Sequence, residues 1–301
     1  MKDANPEAYF AVKQLQGDQG SRELEVKALR RLNKQDDTHL IRLLATYEYR
    51  GHYHLILPWA DGGNLQNLWE ARHPQAQNNP RDPLVVRWMS AQILGLAQAL
   101  HKIHFCPVDS DNVDSVTPNG KVQEYGRHGD LKPENILWFR SESRGARSEQ
   151  VKLGTLKIAD FGFADFHSKH SRSDVRRSKV SGYTQTYSAP EFDVNQRVSP
   201  QYDIWSFGCI LLQFVVWYVE GWHGVDRFSK ERSQDIKGAL MPTDQFFRLT
   251  PGPSTGFKAQ AKTSVVEVSL RKVWWRIEAN LCGHIEDTIS QGRPGLQRLY
   301  P

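Results

Sequence analysis

The stretch EYGRHGDLKPENILWF, residues 124–139, places Asp130, Lys132, Glu134 and Asn135 within six positions and then turns apolar at Ile136. Two acids, an amine and an amide crowded against a hydrophobic strand are costly to bury unless they are paired or serve a ligand. The five-residue step from Asp130 to Asn135 suits a tight loop that aims both side chains into one cleft, with the apolar run NILWF as its anchor. The cluster therefore reads as a site and the strand as its support.

Moving outward, the chain divides into a small strand-rich part and a larger helical part, with the break near Pro58–Gly63. Residues 8–13, AYFAVK, read as a strand. A helix is expected over SRELEVKALRRL, with Leu24, Ala28, Leu29 and Leu32 at helical spacing, Ser21 as N-cap, and Glu23 and Glu25 in the first turn. HLIRLLATYEY and HYHLILPWA read as two strands joined at Arg50-Gly51. Residues 84–104 form a long amphipathic helix; 106–127 read as an inserted surface loop. NILWF and LGTLKIAD are short apolar strands flanking the exposed loop SESRGARSEQ. Residues 167–180 are basic, serine-rich and aperiodic. Residues 251–262 read as a loop, and a last helix is expected from Ser264 to about Leu281.

The bulk composition bounds the classes. With 301 residues and 39% hydrophobic side chains, the chain can bury a substantial core and is not of the disordered type. A net charge of +5 fits an acidic ligand such as a nucleotide, and equally nucleic acid, so it does not discriminate. No basic stripe interleaved with aromatics is present, which argues against a nucleic-acid binder. Cys106, Cys209 and Cys282 are far apart, without metal spacing, and suggest reduced thiols. The apolar run 204–219 is shorter than the roughly 20 residues needed to span a bilayer and is broken by Ser206, Gly208 and Gln213; it reads as a buried core helix.

Five motifs now stand in a fixed order: AVK ending at Lys13, HGDLKPEN at 128–135, DFG at 160–162, APE at 189–191 and DIWSFG at 203–208. Together they resemble the motif set of eukaryotic protein kinases of the serine/threonine type. The wording around residues 124–139 is similar to a branch found in fungi. The resemblance covers about residues 8–220. It implies an α+β, two-lobed kinase-like fold over 1–301, with a truncated β-rich N-lobe (1–57), a hinge (58–63) and a helical C-lobe (64–301). It implies transfer of the ATP γ-phosphate to a serine or threonine hydroxyl of a protein, with ATP and Mg²⁺ as cofactors, an intracellular setting (cytoplasm or nucleus), and neither membrane nor nucleic-acid partner.

The resemblance also assigns residues. Asp130 accepts or orients the substrate hydroxyl proton, and Lys132 steadies the γ-phosphate. Asp160 and Asn135 are the Mg²⁺ ligands, hard oxygen donors as that ion requires. Lys13 grips the α- and β-phosphates. Its partner is Glu25 rather than Glu23, because Glu25, Leu29 and Leu32 reproduce the family spacing. In the hinge stretch LILPWADGGNL, Leu57 guards the back pocket, and the Pro58 carbonyl and Ala60 backbone meet the adenine edge. Ala11 and Leu137 sandwich the base. His128 and Phe161 stack internally with Leu29 and Leu43, Asp203 holds the backbone near His128, and Thr184 braces the catalytic loop.

Four departures accompany the match. No G-x-G-x-x-G occurs in the sequence, so the phosphate cradle of backbone N–H groups is not encoded in it, and transfer is expected to be slow. A kinase-shaped binding module without activity is therefore the alternative. Gly129 replaces an arginine that pairs with a phosphorylated loop in many members, so Ser171, Ser173, Ser178 and Ser181 are expected to be dispensable. The basic loop at 167–180 suits either solvation or an acidic substrate. Glu191 has only Arg293 as a late partner.

Overall fold

The computed structural model describes residues 9–72, 83–108, 122–140, 153–167, 175–176, 184–194, 197–236, 243–252 and 256–269. The expected loops at 109–121 and 141–150, nearly all of the basic loop at 167–180 with its serines, Cys282, Arg293 and the end of the last helix lie outside them.

The chain opens with β1 (Phe10–Gln14), α1 (Gln19–Asn33), β2 (Ala45–Tyr49) and β3 (His52–Pro58). These strands form one antiparallel sheet in the order β1-β3-β2, with Ala11 opposite Leu57 and Lys13 opposite Leu55. The turn between β2 and β3 places Arg50 and Gly51 at φ 51° and 76°, a left-handed pair that closes a tight hairpin. Residues 39–44, expected as strand, instead make single contacts. Leu40 bridges Ile158, and the Ile41 N–H donates to the Ile158 carbonyl at 2.9 Å.

Helix α1 starts two residues earlier than expected. Asp18, not Ser21, is the N-cap, and its carboxylate accepts the Ser21 N–H at 2.8 Å. Glu23 and Glu25 consequently fall beyond the first turn. Glu25, Ala28, Leu29 and Leu32 form the buried stripe, the i, i+3, i+4, i+7 pattern of one helix face. Leu24 points outward.

The larger part is mainly helical: α2 (Leu65–Ala71), α3 (Pro83–His104), α4 (Pro190–Val194), α5 (Pro200–Gln234) and α6 (Thr263–Glu267). Asn64 and Asn67 cap α2 reciprocally. Helix α3 buries Trp88, Met89, Leu96, Ala99, Leu100 and Ile103 along one side. Trp69, Trp88 and Trp217 surround Phe214 at 5.6–6.0 Å between ring centroids.

Helix α5 spans 35 residues as two helical segments that meet at a kink, where Gly221 takes non-helical angles (φ 69°, ψ −166°); the first segment ends within two residues of the expected 219. Its length and composition alone would suffice to cross a membrane, yet half of its most apolar window is buried within the protein. Asp203, Ser206 and Gln213 on the same helix are buried and hydrogen-bonded inside the fold. Cys209, a free thiol, is buried on it too, which pushes its pKa up.

Small sheets complete the architecture. β4 (Phe105–Val108) and β5 (Val122–Arg127) pair antiparallel, so the ends of the expected loop are strands, and β5 also pairs with β8 (Asp165–His167). β6 (Ile136–Phe139) and β7 (Thr155–Ile158) form the hairpin that carries the two site segments. β9 (Val175–Arg176) pairs with β10 (Arg197–Val198). The stretch 251–262, expected as loop, contains β12 (Phe257–Ala261), paired with β11 (Phe247–Pro251). Both strands alternate apolar and polar residues, FRLTP and FKAQA, but the Pro- and Gly-rich PGPSTG between them gives the stretch a loop-like composition.

Candidate active site

The quoted stretch folds as a loop, a single 3₁₀ turn at Pro133–Asn135 and then β6. Proline at the start of that turn sacrifices no N–H needed elsewhere. The loop is suspended from Asp203. One carboxylate oxygen accepts the His128 N–H at 2.7 Å and the His104 ring nitrogen at 2.9 Å. The other accepts the Gly129 N–H at 2.9 Å. Burial alone would raise the Asp203 pKa, but the His104 contact, the nearby His128 and the Gly129 N–H outweigh it and hold it low. His128 is fully buried, its Nε2 lies 2.9 Å from the Ala159 carbonyl, and its ring packs edge-on against Phe161 at 5.2 Å. Its ring partner Phe161 belongs to the same apolar core as Leu29 and Leu43.

Gly129 has φ 85°, and a Cβ built there would lie 2.8 Å from the Phe163 carbonyl oxygen. Backbone conformation and crowding together require glycine between His128 and Asp130.

Asp130 is buried and held on every side. Its carboxylate lies 2.8 Å from the Lys132 amine, accepts the Thr184 N–H at 3.2 Å and the Asn135 amide at 3.2 Å. Lys132 also donates to the Thr184 hydroxyl at 2.7 Å. Asn135 donates to the Asp130 carbonyl at 2.8 Å, and its backbone carbonyl accepts the Ala159 N–H at 2.9 Å. The last bond ties this loop to the residue preceding Asp160.

Asp160 is one of three non-glycine residues with positive φ among the described residues, at 64°. That conformation costs a substituted residue about 1–2 kcal/mol, and persists where the surroundings over-determine it. Lys13 crosses from β1 and lies 2.7 Å from both Asp160 and Glu25. Burial would lower the Lys13 pKa; the two carboxylates outweigh it and raise it. Burial likewise opposes Asp160, whose pKa the Lys13 ammonium, the Gly162 N–H and His128 nevertheless bring down. Glu25 is buried, whereas Glu23 bonds Gln19 on the outer side.

The apolar wall is assembled by the sheet and the hinge. Ala11 and Leu57 are cross-strand neighbours, and Leu137 bridges Asn64. The Gly62 N–H donates to the Trp138 carbonyl at 3.0 Å, and the Trp138 N–H to the Gly63 carbonyl at 2.8 Å, locking residues 62 and 63 to β6. The Ala60 carbonyl accepts the Gly63 N–H at 3.0 Å, so of its backbone groups the N–H is the one left to face a ligand. Leu57, Ala60 and Leu137 are all half-buried against the core.

Of the eleven sequence-derived positions, six thus fall into two connected groups, Lys13–Glu25–Asp160 and Asp130–Lys132–Asn135, and Ala11, Leu57, Pro58, Ala60 and Leu137 are the other five. Sequence reasoning missed His104 as a second support of Asp203; a histidine ending a long helix gave no motif to find. It also missed Asp244. Both its carboxylate oxygens lie 2.8 Å from the Thr186 hydroxyl, and buried Arg232 donates to its carbonyl at 3.0 Å. Gln245 donates to Ser188 at 2.8 Å and Asp193 at 3.1 Å. These contacts brace the 184–190 segment from the irregular stretch 243–246 that precedes β11, a connection without local sequence signal.

Residues 123–247 match a protein-family model described as "Protein kinase domain". Serine/threonine-protein kinase ULK1 of Homo sapiens is 26% identical over 189 residues, 63% of this chain and 14% of that protein. Dual specificity protein kinase CLK4 of Mus musculus is 24% identical over 200 residues, 63% of this chain and 35% of that protein. Serine/threonine-protein kinase chk-2 of Caenorhabditis elegans is 38% identical over 131 residues, 41% of this chain and 23% of that protein. The matched segments therefore span about a third or less of these relatives.

Proposed function

We propose that this chain, which carries a eukaryotic protein kinase catalytic domain, is a serine/threonine protein kinase that transfers the γ-phosphate of ATP to a protein hydroxyl. The observation that carries the reading is the Asp130 carboxylate, held at once by Lys132, Asn135 and the Thr184 backbone. A carboxylate fixed this way can accept a hydroxyl proton without reorganising. Lys132, anchored on Thr184, is poised to neutralise charge at a transferring phosphoryl group. Lysine at that place favours serine and threonine as acceptors by resemblance, and two of the relatives are named as serine/threonine kinases.

Asp160 and Asn135 fit a hard cation. They offer a carboxylate and an amide oxygen, and the Asp160 side chain is 42% exposed toward the cleft. Two protein oxygens leave room for water and phosphate oxygens, in keeping with a site where no cluster of three acidic or histidine ligands is found among the described residues. Bound Mg²⁺ supplies charge neutralisation on the phosphates. Lys13, released from Asp160 but kept in place by Glu25, reaches the α- and β-phosphates. Ala11, Leu57 and Leu137 enclose the base, and the Pro58 carbonyl with the Ala60 N–H meets its edge. On this reading residues 1–57 are the small lobe, 58–63 the hinge and 64–301 the large lobe.

The second reading, a kinase-shaped binding module, is favoured by the lack of any G-x-G-x-x-G in the sequence. Both are tested by Mg²⁺-dependent phosphate transfer from ATP to a basic and an acidic protein, with wild type, Asp130→Ala and Asp160→Ala compared. Slow transfer lost in both variants supports the enzyme. Transfer that survives both substitutions overturns it. A rise in Tm with Mg·ATP but no transfer selects the module.

A further inference from the structure

Two contacts hold the Asp130–Lys132 pair from outside its own loop, and both come from Thr184. Its N–H lies on the Asp130 carboxylate at 3.2 Å, and its hydroxyl accepts the Lys132 amine at 2.7 Å. Three residues on, the chain is pinned to α5: Ser206 donates to the Tyr187 carbonyl at 2.8 Å, and the Tyr187 hydroxyl donates to Gln213 at 2.9 Å. Between Thr184 and that anchor runs one 3₁₀ turn, Gln185–Tyr187, whose N-cap Thr184 makes no side-chain capping bond. A single turn of this kind, with its poorer hydrogen-bond geometry, has little stiffness of its own. The Thr186 side chain supplies the missing constraint. Its hydroxyl lies 2.8 Å from both carboxylate oxygens of Asp244. The one hydroxyl proton is shared between a charged pair of acceptors, which makes the bond one of the stronger class.

Asp244 stands on a rigid support although 243–246 has no regular structure. Its carbonyl accepts the Arg232 Nε–H at 3.0 Å, and the Arg232 guanidinium, in the last turn of α5, is sandwiched between Phe228 and Phe246 at 4.4 and 4.2 Å from the ring centroids. The buried Lys262 amine donates to the Arg232 carbonyl at 2.8 Å and to the Thr243 carbonyl, a cation at the helix C-terminus where the dipole favours one. We propose that Asp244 is a positioning residue for phosphate transfer, holding Thr184 on Asp130 and Lys132 by way of Thr186; the proposal rests on the kinase reading above. Its reach is confined to the acceptor end of the site. None of the described hydrogen bonds or ion pairs of Lys13, Glu25 and Asp160 touches the 184–190 segment. Loss of the Asp244 contact therefore acts on the transfer step and not on the grip on the nucleotide.

The test uses the whole chain as wild type, Asp244→Ala, Asp244→Asn, Thr186→Val and the double variant Asp244→Ala with Thr186→Val. Steady-state transfer is measured, together with amide hydrogen exchange read at the Thr184 N–H by nuclear magnetic resonance. Asp244→Ala should lower kcat by about tenfold, the scale of one hydrogen bond to a charged group, with the KM for Mg·ATP unchanged. Asparagine keeps an oxygen acceptor and should recover most of that loss. Thr186→Val should match Asp244→Ala, and the double variant should be no slower than either, because all three lack the same bond. The Thr184 amide should exchange faster in Asp244→Ala than in wild type or Asp244→Asn. Unchanged Thr184 exchange in Asp244→Ala, additive losses in the double variant, or a KM for Mg·ATP that rises as kcat falls would each overturn the proposal. An inactive wild type with faster Thr184 exchange in Asp244→Ala would instead overturn the kinase reading and leave the Asp244 brace standing.

Discussion

Asp203 is where the structure makes its sharpest energetic demand. Replacing it with alanine removes acceptors for the His128 N–H, the Gly129 N–H and the His104 ring nitrogen, all buried. Each orphaned donor costs about 1–3 kcal/mol, partly offset because a buried carboxylate no longer has to be desolvated. The expected loss is about 3–5 kcal/mol, a large part of the roughly 5–15 kcal/mol typical of a domain. Asp203→Asn can keep its oxygen on His128 and His104 but turns an amide donor toward the Gly129 N–H, so about 1.5–3 kcal/mol is expected. Urea unfolding followed by tryptophan fluorescence reads both, since Trp69, Trp138 and Trp217 are buried. The order alanine, asparagine, wild type should appear in the midpoints. Acid should act in the same direction. The Asp203 pKa is depressed, so its contribution is present above 3.8 and is lost as pH falls through the folded-state value. Losses below about 0.5 kcal/mol for both variants would refute the claim that this carboxylate suspends the catalytic loop.

Lys13→Met should reduce phosphate transfer by about 100-fold in a steady-state assay, the scale for removing one preorganised charge at a transition state. The same pair gives a pH signature in Tm. The raised Lys13 pKa makes its contribution complete below 10.5 and lost as pH rises through the folded value; the lowered Asp160 pKa makes its own present above 3.8 and lost under acid. Thr184→Val removes the hydroxyl that accepts from Lys132 but keeps the N–H on Asp130; kcat should fall about tenfold with unchanged Mg·ATP affinity. Gly129→Ala forces a side chain into φ 85° against the Phe163 carbonyl and should cost about 1–2 kcal/mol or more in urea unfolding.

Much of the site was legible because its chemistry is local. Asp130, Lys132 and Asn135 fall within one short loop, and Glu25 could be told from Glu23 because Glu25, Leu29 and Leu32 reproduce the spacing of the family that the motifs resemble. Asp203 was legible through the family resemblance, which also accounts for an acid at the mouth of an apolar helix. What escaped was tertiary. The Asp18 cap competes with Ser21 through a choice of backbone angle that composition does not reveal. The supports from His104 and Asp244 join residues 99 and 58 positions apart. β12 was misread although FKAQA alternates apolar and polar residues, because the Pro- and Gly-rich PGPSTG just before it reads as loop. The end of the apolar helix near 219 was legible because Gly221, with non-helical angles, breaks the helix there; the second segment running on to Gln234 was not.

The central claim is that Lys13, Asp130, Asn135 and Asp160 serve one magnesium-nucleotide site. Calorimetric titration of ATP with and without Mg²⁺ tests it most directly. The account predicts that Mg²⁺ tightens ATP binding to the wild type and that Asn135→Ala and Asp160→Ala abolish this dependence. ATP binding with the same Mg²⁺ dependence in all three proteins would contradict it.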